Sequence, residues 1–281
     1  MARRRQIIPW RAAGTRAEMR RNADEVVQDT GWVFNNVTGS ALTLEQFVAT
    51  GNAEVDVYLN RFGWSEMPPS MSILEIGSGI GRMTAALTRQ FRSVFASDVD
   101  AAFLERCRET VSRFGDVTAL RTVHIADGSS VHLEDNSVDL VFSYITLQHC
   151  KASDALRLTS EATRVAKPGG WIALNYRTYV PADAVLLPAG ALMRVLWNVP
   201  VVGPKLSQWR WSTRLGWQAN RLNPRRVLNL LETSRVEFDE LVILHHPGRP
   251  ASQATFMGEA VRQRDLDVAN KSHWWLLARC R

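Results

Sequence analysis

The sequence has few cysteines. Its 281 residues hold only Cys107, Cys150 and Cys280, far apart and without a CxxC pair. That excludes a disulfide scaffold and a zinc ribbon, and it points to a reduced, cytoplasmic setting with no metal site. No long apolar run is present either. The richest stretch, residues 182–202, is interrupted by Asp183, Pro188, Arg194 and Pro200. An integral span needs about 20 mostly apolar, uncharged residues. The stretch therefore reads as a packed or lid segment, with a place at a membrane surface as the alternative. The start of the chain lacks the apolar core of about 7–15 residues that a secretory signal requires. No internal repeat and no low-complexity tract stands out.

Acidic residues are missing locally. Residues 1–21 contain seven arginines and one acid, Glu18, which leaves +6; the whole chain is also +6, so everything after residue 21 sums to zero. This N-terminal segment reads as a short, solvated basic arm. A body that balances to zero does not support a broad nucleic-acid footprint. Acids are scarce again in residues 177–226, which hold eight basic residues, the single acid Asp183, and Trp197, Trp209, Trp211 and Trp217. Cations beside aromatics suit an anionic or glycosylated small molecule, or stacked bases. A tryptophan-packed lid with solvated arginines is the simpler reading.

An ordinary apolar fraction of 46% remains, enough for a sizeable core. Residues 22–71 read as a helical N-terminal segment. Thr43 and Gln46 fit a capping box ahead of its clearest amphipathic run, and Met67-Pro68-Pro69-Ser70 ends it. From Ser72 strand and helix alternate. Strands are expected at SILEI, SVFASD, VTALRTVHIAD, SVDLVFSYI and WIALNY. Helices are expected at Arg82–Phe91, Asp100–Phe114 and Ser153–Ala166, with a turn at Lys167–Gly170. The rhythm stops over about 177–223. It resumes with a helix at Pro224–Ser234 and strands at VEFDELVIL and SHWWLLARC. Units of this length imply an α/β, doubly wound, mostly parallel seven-stranded sheet with helices on both faces. The expected organisation is an arm (1–21), a helical segment (22–71) and an α/β domain (72–281) carrying a lid insertion.

Chemistry concentrates at the strand ends. Glu75-Ile76-Gly77-Ser78-Gly79-Ile80-Gly81 leaves the first strand and turns into a helix. Glycines let the backbone turn tightly and approach a ligand, and the helix start offers unpaired N–H groups. The spacing is GxGxG, with Arg82 where a dinucleotide site would have its last glycine. Asp98 ends the second strand, where an acid can accept hydrogen bonds from ribose hydroxyls; Asp is also a good helix cap, and Asp100 competes for both roles. Asp127-Gly128 follows the third strand. Ser143-Tyr144 ends the fourth, and His149 comes just after it.

In order and spacing these pieces resemble the class I S-adenosylmethionine-dependent methyltransferases, in the small-molecule branch that includes quinone-biosynthesis enzymes. The resemblance covers about residues 72–176 and the last two strands. It implies the Rossmann-like methyltransferase fold, with S-adenosyl-L-methionine as cofactor. It assigns Gly77, Ser78 and Gly79 to the methionyl part, Asp98 to the ribose, Asp127 and Gly128 to the adenine, and Ser143 and Tyr144 to the path of the methyl group. Glu75, Gly81, Arg82 and Val99 flank these positions and complete the candidate cofactor set. The run Glu161–Gly170 matches the family's structural ERVLKPGG-like turn, with Ala166 in place of leucine. The Asn/Asp-Pro-Pro-Tyr run of adenine and glutamine-amide methyltransferases is absent; Ser143-Tyr144-Ile145-Thr146 stands there, which argues against those acceptors. The expected reaction is methylation of a small-molecule acceptor, at a hydroxyl oxygen of a metabolite or a sugar-containing compound, with His149 as candidate base. RNA or protein methylation through the basic arm and lid is one alternative. A cofactor-binding protein without transfer activity is another.

Overall fold

The computed structural model describes residues 22–34, 42–207, 210–217, 220–248, 254–266 and 271–281. The basic arm, Trp209 and residues 267–270 lie outside the described residues.

Helix α1 (Ala23–Phe34) and helix α2 (Leu44–Phe62) come first. The expected capping box is formed: Thr43 Oγ1 accepts from Gln46 N, and the Gln46 side chain accepts from Thr43 N. Gly63, at φ 74°, closes α2 in the left-handed conformation that glycine adopts without strain.

The α/β unit follows as β1 (Ser72–Ile76), α3 (Thr84–Gln90), β2 (Ser93–Asp98), α4 (Ala101–Phe114), β3 (Leu120–His124), β4 (Val138–Ser143), a single 3₁₀ turn (Leu147–His149), α5 (Ala152–Val165) and β5 (Ala166–Arg177). Asp100 caps α4 through a 3.0 Å bond from Ala102 N. Three helices then fill the interruption: α6 (Asp183–Leu196), α7 (Val202–Ser207) and α8 (Arg210–Trp217). The chain closes with α9 (Pro224–Thr233), β6 (Phe238–His245), a small hairpin of β7 (Thr255–Phe256) and β8 (Glu259–Ala260), β9 (Arg262–Asp265) and β10 (His273–Cys280).

The main sheet runs β3-β2-β1-β4-β5-β10-β6-β9. β1 to β5 are parallel, and β10 is antiparallel to both its neighbours. This is the Rossmann-like methyltransferase fold. Two details depart from expectation. The sheet has eight strands, because β9 pairs with β6 at the edge. Its sequence, Arg-Gln-Arg-Asp, shows none of the apolar alternation that marks a half-buried strand. Lys167–Gly170 is a bulge inside a longer β5, where the register with β4 slips between Val138 and Leu140. Gly170 fits there because a Cβ would come within 2.8 Å of the Asp139 carbonyl.

Strand order reverses between β1 and β4, and sheets of this kind bind ligands beyond the carboxyl ends of the strands at that point. The core lies on both faces of the sheet. On one, Tyr58, Phe62 and Trp64 from α2 and its exit pack against Phe142 and Trp275. On the other, α5 and α9 cover β5 and β10. α2 thus reaches the rim of the ligand edge.

Candidate active site

The glycine turn is built as its residue types require. Gly77, Gly79 and Gly81 have φ values of 83°, 55° and 92°, the region where side chains are strained. Two of them also allow close approach. A Cβ on Gly77 would meet Thr146 Oγ1 at 2.2 Å, and one on Gly81 would press on Cys107 at 3.1 Å. Gly81 is therefore a packing position against α4.

Asp98 holds this turn in place. Its Oδ2 accepts from Gly79 N at 2.9 Å, and its Oδ1 accepts from Asp100 N at 2.9 Å. Burial raises its pKa to about 6, against the lowering effect of those backbone bonds. The Val99 backbone N–H also acts on the carboxylate, and the lone-pair capacity that is left can take a ligand donor. Beside it, the Ser78 hydroxyl is buried and has no hydrogen-bond partner among the described residues. The Cys107 thiol of α4 is a neighbour of this hydroxyl, which acts to lower the thiol's otherwise raised pKa. Val99 is half-buried, and its carbonyl meets His124 Nε2 at 3.2 Å.

Several expected cofactor residues turn toward protein instead. Glu75 Oε2 accepts the Thr84 hydroxyl at 2.6 Å, and burial raises its pKa to about 7. Arg82 pairs with Glu54 of α2 at 2.5 Å. Ser143, fully buried, donates to the Ile76 carbonyl at 2.9 Å and so ties β4 to β1. These three brace the turn. Asp127 accepts from Ser129 N, Ser130 N and Ser130 Oγ. Burial pushes its pKa up, but those bonds outweigh it and hold the group at about 2. Its carboxylate is engaged with its own turn, which Gly128 continues at φ 74°.

Tyr144 follows β4 and lies parallel to Trp275 at 5.6 Å, with Tyr58 at 4.8 Å. Ile145, the next residue, has φ 55°. A β-branched side chain rarely tolerates that backbone, and such strain collects at functional sites. Asn175 supports it. Its Oδ1 accepts from Ile145 N at 3.3 Å and from His273 Nδ1 at 3.0 Å, while Nδ2 donates to the Trp274 carbonyl. Burial, with the charges of Arg177, His149 and Arg221, lowers the His273 pKa to about 3, so the ring is neutral.

His149 sits in the 3₁₀ turn, half-buried, with Nε2 at 3.2 Å from the Gln148 amide nitrogen. The returning end of the insertion latches this turn. Asn220 Nδ2 donates to the Leu147 and Cys150 carbonyls at 2.7 Å, and Asn220 N donates to the Gln148 carbonyl. Thr146, Asn175, Asn220 and His273 were not evident as site residues from sequence. Only Asn175 carried a signal, as the one polar residue inside the apolar run WIALNY.

The tryptophans of the insertion divide. Trp197 is buried, donates to Ser212 Oγ at 2.9 Å, and packs on Gly216, so it holds α6 to α8 and does not form a ligand wall. Trp211 is exposed. Trp209 is outside the described residues, and so is the Trp217 side chain.

With this geometry in view, comparison with known proteins is decisive for the central part of the chain. The family model for a methyltransferase domain matches residues 74–174, from β1 into β5. Over those residues the chain is similar to the methyltransferase domain family. This domain is 35% identical over 103 residues to phosphoethanolamine N-methyltransferase 1 of Triticum aestivum, covering 36% of this chain and 20% of that protein. It is 32% identical over 113 residues to the malonyl-[acyl-carrier protein] O-methyltransferase of Methylococcus capsulatus, covering 38% of each. The matches thus span well under half of those relatives. Among solved structures, magnesium protoporphyrin IX methyltransferase from Synechocystis PCC 6803, with bound SAH, superposes over 92% of this chain and 98% of its own. The TM-score is 0.52 at 14% identity, a likeness of fold.

Proposed function

We propose that this chain transfers a methyl group from S-adenosylmethionine to a hydroxyl oxygen of a small molecule. The observation that carries the reading is the glycine turn, with Gly77, Gly79 and Gly81 all at positive φ, fastened to Asp98. These residues fit the cofactor. Gly77, Ser78 and Gly79 would hold its methionyl part, and the remaining lone pairs of Asp98 would accept the ribose hydroxyls. The adenine contact falls to the backbone of Asp127 and Gly128, since the Asp127 carboxylate is already engaged. When bound, the cofactor supplies a methyl group already activated by its sulfonium.

The protein's own task is to align the acceptor and manage one proton. Tyr144 and the strained Ile145 line the end of β4. His149 would take the proton of the acceptor hydroxyl. With Gln148 donating to it, His149 Nε2 is the basic nitrogen; the acceptor hydroxyl replaces that amide as donor. The names of two relatives, an N-methyltransferase of phosphoethanolamine and an O-methyltransferase of a malonyl carrier protein, support a small or carrier-bound acceptor; the missing Asn/Asp-Pro-Pro-Tyr run supports oxygen.

A labelled-methyl screen against hydroxylated metabolites tests this. Wild-type protein is expected to label a small molecule. His149→Ala is expected to lose about 10²–10⁴-fold in rate while keeping its affinity for S-adenosylhomocysteine. Label appearing only in RNA or protein would overturn the acceptor class. An unchanged rate in His149→Ala would remove the base.

A further inference from the structure

The surface of the insertion is unusual. Twelve large apolar side chains are exposed among the described residues, and nine of them fall between Tyr179 and Trp211. In α6 they are Val185 at 71%, Leu192 at 59% and Val195 at 63%; Val201 at 72% and Val202 at 45% follow at the start of α7. Val185 and Leu192 are seven residues apart, hence on one face. The opposite face carries Gly190, Met193 and Trp197, which are buried. There a Cβ on Gly190 would come within 2.4 Å of the Leu215 carbonyl, and Arg194 donates to the Gly216 carbonyl at 2.9 Å. Which side of α6 faces the protein is therefore settled, and its outward side is apolar. An exposed apolar patch of this kind marks a partner surface.

Charge selects the partner. Residues 177–226 carry eight basic residues and one acid. That acid, Asp183, is fully buried against Arg221 at 2.8 Å, so no acid of the insertion faces outward. Residues 177–226 sum to +7, two of the cations, Arg225 and Arg226, standing on α9 just after the insertion. Because the arm and the whole chain are each +6, the remaining residues carry −7. Lys205, Arg225 and Arg226 are exposed in this stretch, and a basic stretch of this kind is drawn to a negative surface. A 14-residue helix such as α6 extends about 21 Å, short of the roughly 30 Å of a bilayer core. No helix among the described residues is long and apolar enough to cross a membrane.

We propose that the outward face of α6 and the start of α7 dock on an anionic lipid bilayer, lying in its surface with Val185, Leu192, Val195 and Val201 in the acyl boundary. Apolar burial together with attraction of cations to anionic headgroups is the energetic basis of such binding. The same insertion latches the His149 turn through Asn220, so docking places the candidate site beside the membrane.

Vesicle co-sedimentation of the full chain tests the proposal, with S-adenosylhomocysteine affinity measured in parallel as a separate check of the cofactor reading. Vesicles of phosphatidylcholine mixed equally with phosphatidylglycerol are expected to bind the chain, more weakly as salt is raised. Vesicles of phosphatidylcholine alone are expected to bind poorly. The triple variant Val185→Gln, Leu192→Gln, Val195→Gln replaces exposed side chains with a good helix former. It should keep the wild-type melting temperature and lose about tenfold or more in vesicle affinity. Three results would overturn the proposal. Wild-type protein could stay in solution with both vesicle types. The triple variant could bind as wild type does, which would move binding to another part of the chain. Sedimentation equilibrium could show a dimer that the triple variant abolishes, making the face a contact between copies.

Discussion

The Asp98 carboxylate binds the Gly79 backbone N–H at 2.9 Å and so joins the end of β2 to the glycine turn that leaves β1. One side chain thereby shapes the turn and remains able to accept from a ligand. Asp98→Ala should weaken S-adenosylhomocysteine affinity by about 1–3 kcal/mol, the cost of leaving buried partners unpaired. It should also lower the melting temperature of the protein without ligand, because Gly79 N loses its acceptor. Calorimetric titration and thermal melts read the two effects. An unchanged dissociation constant would remove Asp98 from the binding site.

Gly77 and Thr146 are a second such pair. Thr146 Oγ1 meets the Gly77 carbonyl at 3.3 Å, and a Cβ on Gly77 would collide with the Thr146 side chain. Gly77→Ala is expected to destabilise by about 1–3 kcal/mol, through its positive φ as well as the clash. Adding Thr146→Gly should recover only the part due to the clash. Full recovery in denaturant melts would show that the backbone conformation costs nothing.

Glu75 makes the protein's stability depend on pH. Burial raises its pKa from 4.5 to about 7, so the folded state holds a proton that the unfolded chain releases. Below pH 4.5 both states are protonated and nothing is lost. Stability then falls as pH rises from about 4.5 to about 7. Glu75→Gln keeps an acceptor for Thr84 and removes this titration. Without ligand it should melt higher than wild type at pH 8, by on the order of 1–3 kcal/mol, and match it at pH 4. Equal melting at both pH values would contradict the assignment.

Arg221 and Asp183 form a two-pronged ion pair, Nε to Oδ2 at 2.9 Å and Nη2 to Oδ1 at 2.8 Å, both side chains buried. The pair joins the start of α6 to the residues just before α9, and so closes the base of the insertion. Asp183→Ala leaves a buried cation and should cost about 3–5 kcal/mol. Replacing both, as Asp183→Leu with Arg221→Met, should cost less than the single change. A double variant worse than Asp183→Ala would mean that the pair itself holds the insertion closed.

What could be read from sequence followed the range of each interaction. The glycine turn, the Asp98 position, the Thr43 capping box and the Asp100 cap are set by residues a few positions apart or by one strand end, and they stand where expected. Asn175 with His273, and Asn220 with Leu147, bond across 98 and 73 residues, which no local pattern reveals. Glu75, Arg82 and Ser143 have the right positions for a cofactor contact, but their partners Thr84, Glu54 and Ile76 take them. β9 carries no apolar alternation because an exposed edge strand needs no apolar face. The interruptions in 182–202 correctly argued against a span. Which side of α6 is buried depends on Gly190 and Gly216 meeting their partners in three dimensions.

The central claim is that the glycine turn and Asp98 form a site for S-adenosylmethionine and not for a dinucleotide. Isothermal titration of the full chain with S-adenosylhomocysteine and, separately, with NADH tests it most directly. The account requires saturable one-to-one binding of S-adenosylhomocysteine, weakened in Asp98→Ala, and no heat of binding with NADH. Saturable NADH binding with none for S-adenosylhomocysteine would contradict it.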